Sequence, residues 1–508
     1  MKVSIIGAGI SGLSAGCYLQ MNGFETEIYE KHAIPGGLCT SWRKGDYVID
    51  GCAHWILGSG PGSSFYRLFN ELIDMPSVPF INHEMRMVIE VKDSIDKYGS
   101  NQFTLYTDLD RLKEYLVDLS PEDIHLIKPF IKAMRDMQKY DLPPIMDELP
   151  LFQSMIRGVK MSRYLTFLPI LIKWSRLTNY TFGDQFKSPF LRESFRLLYD
   201  NEEVKMLILM MPLSFFDLKS CGYPIGGSYG FAKRFEESYL ELGGKIHYKR
   251  SVKQIIVEDD TAKGVVLRDG TLVQSDIVLS AADWKFTIFD LLKGAYVNKK
   301  MTSLKEGTSL KVFYSVVQIS FGIDMDMTSY PHFFRYPLDE EIVSPDGTKY
   351  NRMEVHLYHY DPTMAPANKT TLVVSFYTMN REYWIDLRNE NRKEYREVKN
   401  RFTDVILERL ERRFGKGFKY KVEMKDMATP ATLLRYTGNW KGSTQGWLPS
   451  KNLIASSPVK FKLPTLKNFY YASHWSQPGG GLPVAVISAR DVTKVICKDN
   501  QKKFTAKK

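Results

Sequence analysis

Cysteine is scarce in this chain and forms no pattern. Five are scattered over 508 residues, at Cys17, Cys39, Cys52, Cys221 and Cys497, with no CxxC pair. An odd, dispersed set argues against a disulfide framework or a zinc site and predicts a reducing compartment. Long apolar runs are missing too. The two most apolar stretches, 164–172 and 206–216, are interrupted by Pro169 and Pro212, and neither approaches the roughly 20 residues that span a bilayer. The N-terminus does not read as a signal peptide, because Met1-Lys2 leads straight into a short apolar run broken by glycines. There is no internal repeat, no Ser-His-Asp spacing and no paired-carboxylate pattern. His356 and His359 lack a third nearby ligand, so no metal site is expected.

What is present is ordinary globular material. Hydrophobic residues make up 44% and charged residues 25%, which excludes a disordered chain, a collagen-like fibre and a coiled coil. The length corresponds to two or three domains. Lys and Arg total 69 against 58 Asp and Glu, a formal charge of +11. The basic residues are dispersed among acids and no nucleic-acid motif accompanies them, so nucleic acid is not expected as a partner.

The strongest signal lies at the start. Residues 2–6 read as a buried strand, Gly7-Ala8-Gly9-Ile10-Ser11-Gly12 as a glycine turn, 11–22 as a helix, and 25–30 as a second strand ending at Glu30. This is the complete dinucleotide fingerprint. Gly7 permits the tight turn, Gly9 lets the backbone approach a pyrophosphate, and Gly12 lets the helix pack on the strand. The helix N-terminus offers free N–H groups to the phosphates. Glu30 is placed to accept from ribose hydroxyls, and its charge disfavours a 2′-phosphate. No second GxGxxG occurs; Gly226-Gly227-Ser228-Tyr229-Gly230 is read as following no clean strand.

Pro35-Gly36-Gly37-Leu38 follows closely, and Tyr47-Val48-Ile49-Asp50-Gly51 reads as a strand ending in an Asp-Gly turn. Further along come Tyr223-Pro224-Ile225-Gly226-Gly227, Asp276 to Ala282, Ala428-Thr429-Pro430 and the terminal Pro478-Gly479-Gly480-Gly481-Leu482-Pro483. With these motifs the chain resembles, nearly end to end, the phytoene desaturase, carotenoid isomerase and retinol saturase group of the amine-oxidase-like flavoproteins. Two positions depart from that pattern. Leu38-Cys39 stands where an Arg often follows the twin glycine, and Ser473-His474 stands where a Gly-Asp pair is widespread.

The resemblance implies an α/β fold, with a Rossmann-type FAD-binding domain and a discontinuous α+β substrate domain. The expected boundaries are 1–75, 220–295 and 455–500 for the first, 76–219 and 296–454 for the second, and 501–508 for a basic tail. FAD is the implied cofactor. Its expected contacts are Gly7, Gly9, Ile10, Ser11, Gly12, Glu30, Lys31, Gly36, Gly37, Leu38, His54, Trp55, Val252, Ala281, Gly480, Gly481, Leu482 and Pro483. His54, His474 and Trp475 are the candidates for chemistry, since a histidine near the flavin can exchange a proton at neutral pH. Tyr436 and Trp447 are candidate walls of the substrate pocket.

The expected reaction is desaturation, saturation or isomerisation of C=C and C–C bonds in a long polyene or isoprenoid, such as a carotenoid or retinoid. The electron donor or acceptor is left open. An amine-oxidase-type enzyme on a small amine, or a non-catalytic flavoprotein, stand as alternatives. A lipophilic substrate implies access from a membrane. Residues 152–177 mix Phe152, Met155, Ile156, Tyr164, Leu168 and Trp174 with Arg157, Lys160, Arg163, Lys173 and Arg176 and contain no acid, the composition of an interfacial segment. This stretch and residues 498–508 account for +9 of the net charge. The expectation is a cytoplasmic protein with peripheral attachment at the inner face of the cell membrane. It predicts that the purified protein pellets with anionic liposomes and that charge reversal at Arg157, Lys160 and Arg163 weakens the pelleting. Unchanged pelleting of the triple variant would remove that role from the segment.

Overall fold

The computed structural model describes residues 1–140, 165, 167–199, 202–448 and 459–506. Met155, Ile156, Arg157, Lys160, Arg163 and Tyr164 of the expected interfacial segment lie outside the described residues.

The opening segment folds as its pattern dictates. The strand Lys2–Ile6 is flanked in parallel register by Glu25–Tyr29 and by Ile277–Ser280. Lys245–His247 and Phe469–Tyr471 complete a five-stranded parallel sheet. Parallel strands are covered on both faces, so they read as continuous apolar runs; Val3, Ile5, Ile28 and Leu279 are buried completely. The helix Ile10–Met21 lies on this sheet with ten of its twelve residues buried. It is clamped between the helices Gly227–Glu241 and Gly481–Asp499. The close fit explains Gly12: a Cβ there would lie 1.9 Å from the carbonyl oxygen of Gly7 and 3.2 Å from Cβ of Ala281. Gly7 itself carries φ of +98°, which only glycine adopts freely.

A second sheet has seven mixed strands. In spatial order they are Val422–Ala428, Ser315–Ile323, Thr370–Thr378, Lys349–Leu357, Phe333–Val343, Met85–Glu90 and Gln102–Tyr106. Val317, Ile319, Val355, Leu372 and Val374 of this sheet are buried with Ile406 and Leu410 of the long helix Arg392–Phe414. The last two strands precede the run of helices that ends at Asp217. They are a hairpin inserted ahead of the helices, and they reach the sheet through a parallel pairing of Val88 and Ile89 with Phe334 and Arg335. The helices that follow form their own apolar cluster, around Phe130, Phe182, Phe195, Met210 and Trp174.

Three differences from the sequence reading have physical causes. Gly226-Gly227 does follow a strand, Cys221–Pro224, and does open a helix. That strand pairs antiparallel with Ile56–Leu57 and Phe80–Ile81, and the helix start is taken by protein carboxylates. Asp50 accepts from the N–H of Ser228 and Asp361 from that of Gly226. Trp174, counted among interfacial residues, is buried against Phe130 and Phe182. The tail is docked, not free. Lys502 donates to the carbonyl of Asn22, Thr505 donates from its N–H to the Asn22 side chain, and Phe504 packs against Tyr18.

The Gly12 contact yields a measurable expectation. Gly12→Ala should cost about 1–3 kcal/mol through overpacking and lower Tm, because the clash is with backbone. Gly230→Ala, whose Cβ would meet nothing nearer than 3.9 Å, should leave Tm near that of the parent.

Candidate active site

One continuous cavity of about 2650 Å³ runs from the glycine loop to the inner face of the seven-stranded sheet. Ordinary small-molecule sites enclose roughly 300–1,000 Å³, so this volume exceeds what a single ligand fills.

Its first end is built by the segments that the dinucleotide fingerprint marks. Gly7, Gly9, Ile10, Ser11, Glu30, Lys31, Gly36, Gly37 and Leu38 line it, with Val252, Ala281, Gly480, Gly481, Leu482 and Pro483 closing around them. Gly12 is absent from the wall and serves packing alone. The first N–H groups of a helix have no intrahelical partner, and Gly9 supplies no side-chain cap. The hydroxyl of Ser11 is buried without a partner. Glu30 is fixed by the N–H of Ala8 and of His32, each at 2.7 Å. A carboxylate has about four acceptor positions, so two remain for a ligand. Burial lowers the pKa of Lys31, with Glu30 opposing the shift. These features fit a dinucleotide.

The middle of the cavity is delivered by Asp50. Its fully buried carboxylate accepts from the Ser228 hydroxyl and N–H, the Cys52 N–H and the Tyr223 hydroxyl, while burial pushes its pKa up. The turn it anchors carries His54 and Trp55 into the cavity wall. His54 stacks on His356 at 4.0 Å, His356 stacks on Phe333 at 4.0 Å, and His83 stacks on His332 at 3.6 Å. His356 also contacts Glu354 at 3.3 Å, and Glu354 is paired with Arg335. Burial lowers the pKa of His54 and His332 well below the usual imidazole range, the neighbouring rings adding to the effect. Burial alone would raise Glu354, but Arg335 and His356 hold it below the usual carboxylate range.

His474 lines the cavity beside the terminal glycine loop. Burial lowers its pKa to about 4, and its Nε2 is buried without a protein partner. Asp283 also faces the cavity, with burial raising its pKa to about 7 against hydrogen bonds from the N–H groups of Phe286 and Trp440.

Three expected assignments are corrected by this geometry. Trp475 is fully buried, outside the cavity wall, with its indole N–H donating to Asn439 at 2.8 Å. Trp447 is equally buried and donates to the Trp475 carbonyl. Both belong to an aromatic cluster with Trp284 and Trp440, where large rings gain more by mutual packing than by facing a cavity. Tyr436 does line the cavity, but its ring meets His32 at 5.3 Å beside the dinucleotide loop, away from the second end. The residues that sequence reasoning missed are His83, Arg86, His332, Arg335 and Glu354, along with the role of His356. Only the alternation of Glu354 and His356 along the strand Lys349–Leu357, continued by Tyr358 just past its end, hinted at polar groups on a common face.

Comparison with known proteins agrees with this layout. Residues 5–72 match the model of an NAD(P)-binding Rossmann-like domain. Prolycopene isomerase 2 of an Oncidium hybrid is 24% identical, over 95% of this chain and 81% of that protein. Phytoene desaturase of Fusarium fujikuroi is 23% identical, over 98% and 90%. The structure of an oxidoreductase from Methanosarcina mazei covers 97% of this chain and all of its own, at 19% identity and a TM-score of 0.60. Glycine loop, ribose acid and two-sheet architecture thus define a dinucleotide-binding flavoprotein of the oxidoreductase class. Within that class the chain is similar to prolycopene isomerases and phytoene desaturases along nearly its whole length.

The lowered histidine values set a pH dependence. His83 and His474 both stand near 4 in the folded protein, against about 6.5 when unfolded. The unfolded chain therefore takes up their protons first, and the stability present above pH 6.5 is lost as pH falls toward 4. Each such group steepens the loss by at most about 1.4 kcal/mol per pH unit. The Tm should fall through this window, and His83→Asn should flatten the slope; a flat Tm between pH 6.5 and 4 would contradict the assignment.

Proposed function

We propose that this protein binds FAD and transfers hydrogen at C=C or C–C bonds of a long lipophilic polyene or isoprenoid. The observation that carries the reading is the continuous cavity, which runs from the dinucleotide loop past His54 to a chamber under the seven-stranded sheet. Similarity to phytoene desaturase and prolycopene isomerase over nearly the whole chain supports it. In this reading residues 1–75, 220–295 and 455–500 form the cofactor half, and 76–219 with 296–454 form the substrate half.

When bound, FAD supplies the two-electron chemistry. The protein supplies position and dryness. The N–H groups of Ile10 and Ser11 would hold the pyrophosphate, Glu30 the ribose hydroxyls, and the loop of Gly480 and Gly481 the chain leading to the ring. His474 Nε2, buried and unpartnered, would donate to or accept from the cofactor. His54 is held neutral by burial, with Nδ1 lying 3.5 Å from the Tyr358 hydroxyl. As a neutral imidazole it can accept a proton from substrate at neutral pH, and Glu354 would offset part of the charge of the imidazolium formed.

Access from a membrane belongs to the same proposal. Among the described residues no helix is long and apolar enough to cross a bilayer. Leu165, Leu168 and Ile172 are nevertheless 65%, 45% and 45% exposed, beside Lys173 and Arg176. Apolar side chains next to cations favour an anionic lipid surface. Peripheral attachment at the cytoplasmic face is the location that suits this chemistry.

Anaerobic spectroscopy of the purified holoenzyme tests the reading. Bleaching of the flavin band by a saturated or partly saturated isoprenoid marks a desaturase. Bleaching by a nicotinamide with reoxidation by a polyene marks a saturase. Bleaching by a small amine, with no response to any isoprenoid, would overturn the assignment.

A further inference from the structure

We propose that Arg86 is an anion-binding residue of the substrate chamber, so that the substrate is a long isoprenoid or polyene bearing one carboxylate. The proposal rests on the lipophilic-substrate reading above and narrows it.

Arg86 lies on the strand Met85–Glu90 and lines the cavity. Its guanidinium sits 5.4 Å from the ring centre of Trp55 and 5.3 Å from that of Phe216. It also meets the hydroxyl of Tyr199. Among the described residues no carboxylate stands within ion-pair distance of it. The acid of this chamber, Glu354, is already engaged by Arg335 through two nitrogens and by His356. The imidazoles of His54 and His332 are neutral and offer no counter-charge.

In Arg86 the chamber therefore holds a cation with no carboxylate beside it, set between aromatic faces. In the open cavity water solvates it. A pure hydrocarbon entering the chamber would strip that water and give nothing back, and a desolvated, unpaired ion is strongly disfavoured. Cation–π contact with Trp55 and Phe216 offsets part of this loss but fixes the plane of the fork more than it neutralises the charge. A carboxylate meets the guanidinium with two parallel charge-assisted hydrogen bonds. A single free guanidinium matches a monoanion; a diphosphate would call for more cations than Arg86 provides.

The test uses ligands that differ in the head group alone. Retinoic acid, its methyl ester and retinol are titrated into the holoenzyme, and binding is read from quenching of protein fluorescence. Retinoic acid should bind at least ~10-fold more tightly than the ester or the alcohol, a modest gain for a charge-assisted pair. Arg86→Gln should abolish the preference, weakening retinoic acid at least ~10-fold while retinol, no longer desolvating a cation, binds at least as tightly as to the parent, and Arg86→Lys should keep part of it. The parent protein alone decides the matter if a variant fails to fold. Equal affinities for acid, ester and alcohol, or a preference unchanged in Arg86→Gln, overturn the anion site and leave the polyene reading standing. Failure of all three ligands to bind overturns the polyene reading, and this inference with it.

Discussion

The structure turns on the buried carboxylate of Asp50. It stands at the end of a short strand and is paired by dipoles from Ser228, Cys52 and Tyr223. Its own carbonyl accepts from Gln318 in the seven-stranded sheet at 2.9 Å. One residue thus joins the N-terminal hairpin, the start of the helix Gly227–Glu241 and the second sheet. A group buried in this way is costly unless every acceptor position is used, and here the geometry that satisfies it also sets the path of Cys52, Ala53, His54 and Trp55. The cavity wall is a consequence of that satisfaction.

The same rule of burial governs the chemistry of the chamber. His54 and His332 stay neutral because each ring loses water and faces another ring. Glu354 stays ionised because Arg335 and His356 compensate it. The chamber is polar yet nearly charge-balanced, a lining that suits a long apolar molecule with a polar point of attachment.

Legibility from sequence followed the locality of the signal. The strand–glycine–helix–strand opening was legible to within a residue or two, because turn chemistry and periodicity are encoded by neighbours. So were Glu30, Gly36 and the terminal glycine loop. The hairpin Met85–Glu90 with Gln102–Tyr106 was not, since its strands make sense only through pairing with Phe334 and Arg335, some 250 residues away. Trp475 and Trp447 looked like site residues from their places next to motifs. Their rings went to each other instead, because close packing of large aromatics outweighs adjacency in sequence.

By itself, then, the sequence determined the dinucleotide fold, the acid at the end of its second strand and the general class of chemistry, all of which depend on contacts within short windows of chain. The tertiary structure alone decided which polar groups share the chamber. His54, His83, His332 and His356 come from four separate segments, and Arg86 from a fifth position between them. No local pattern links them, because what brings them together is the long-range registry of one mixed sheet and a single buried carboxylate that orients the turn facing it.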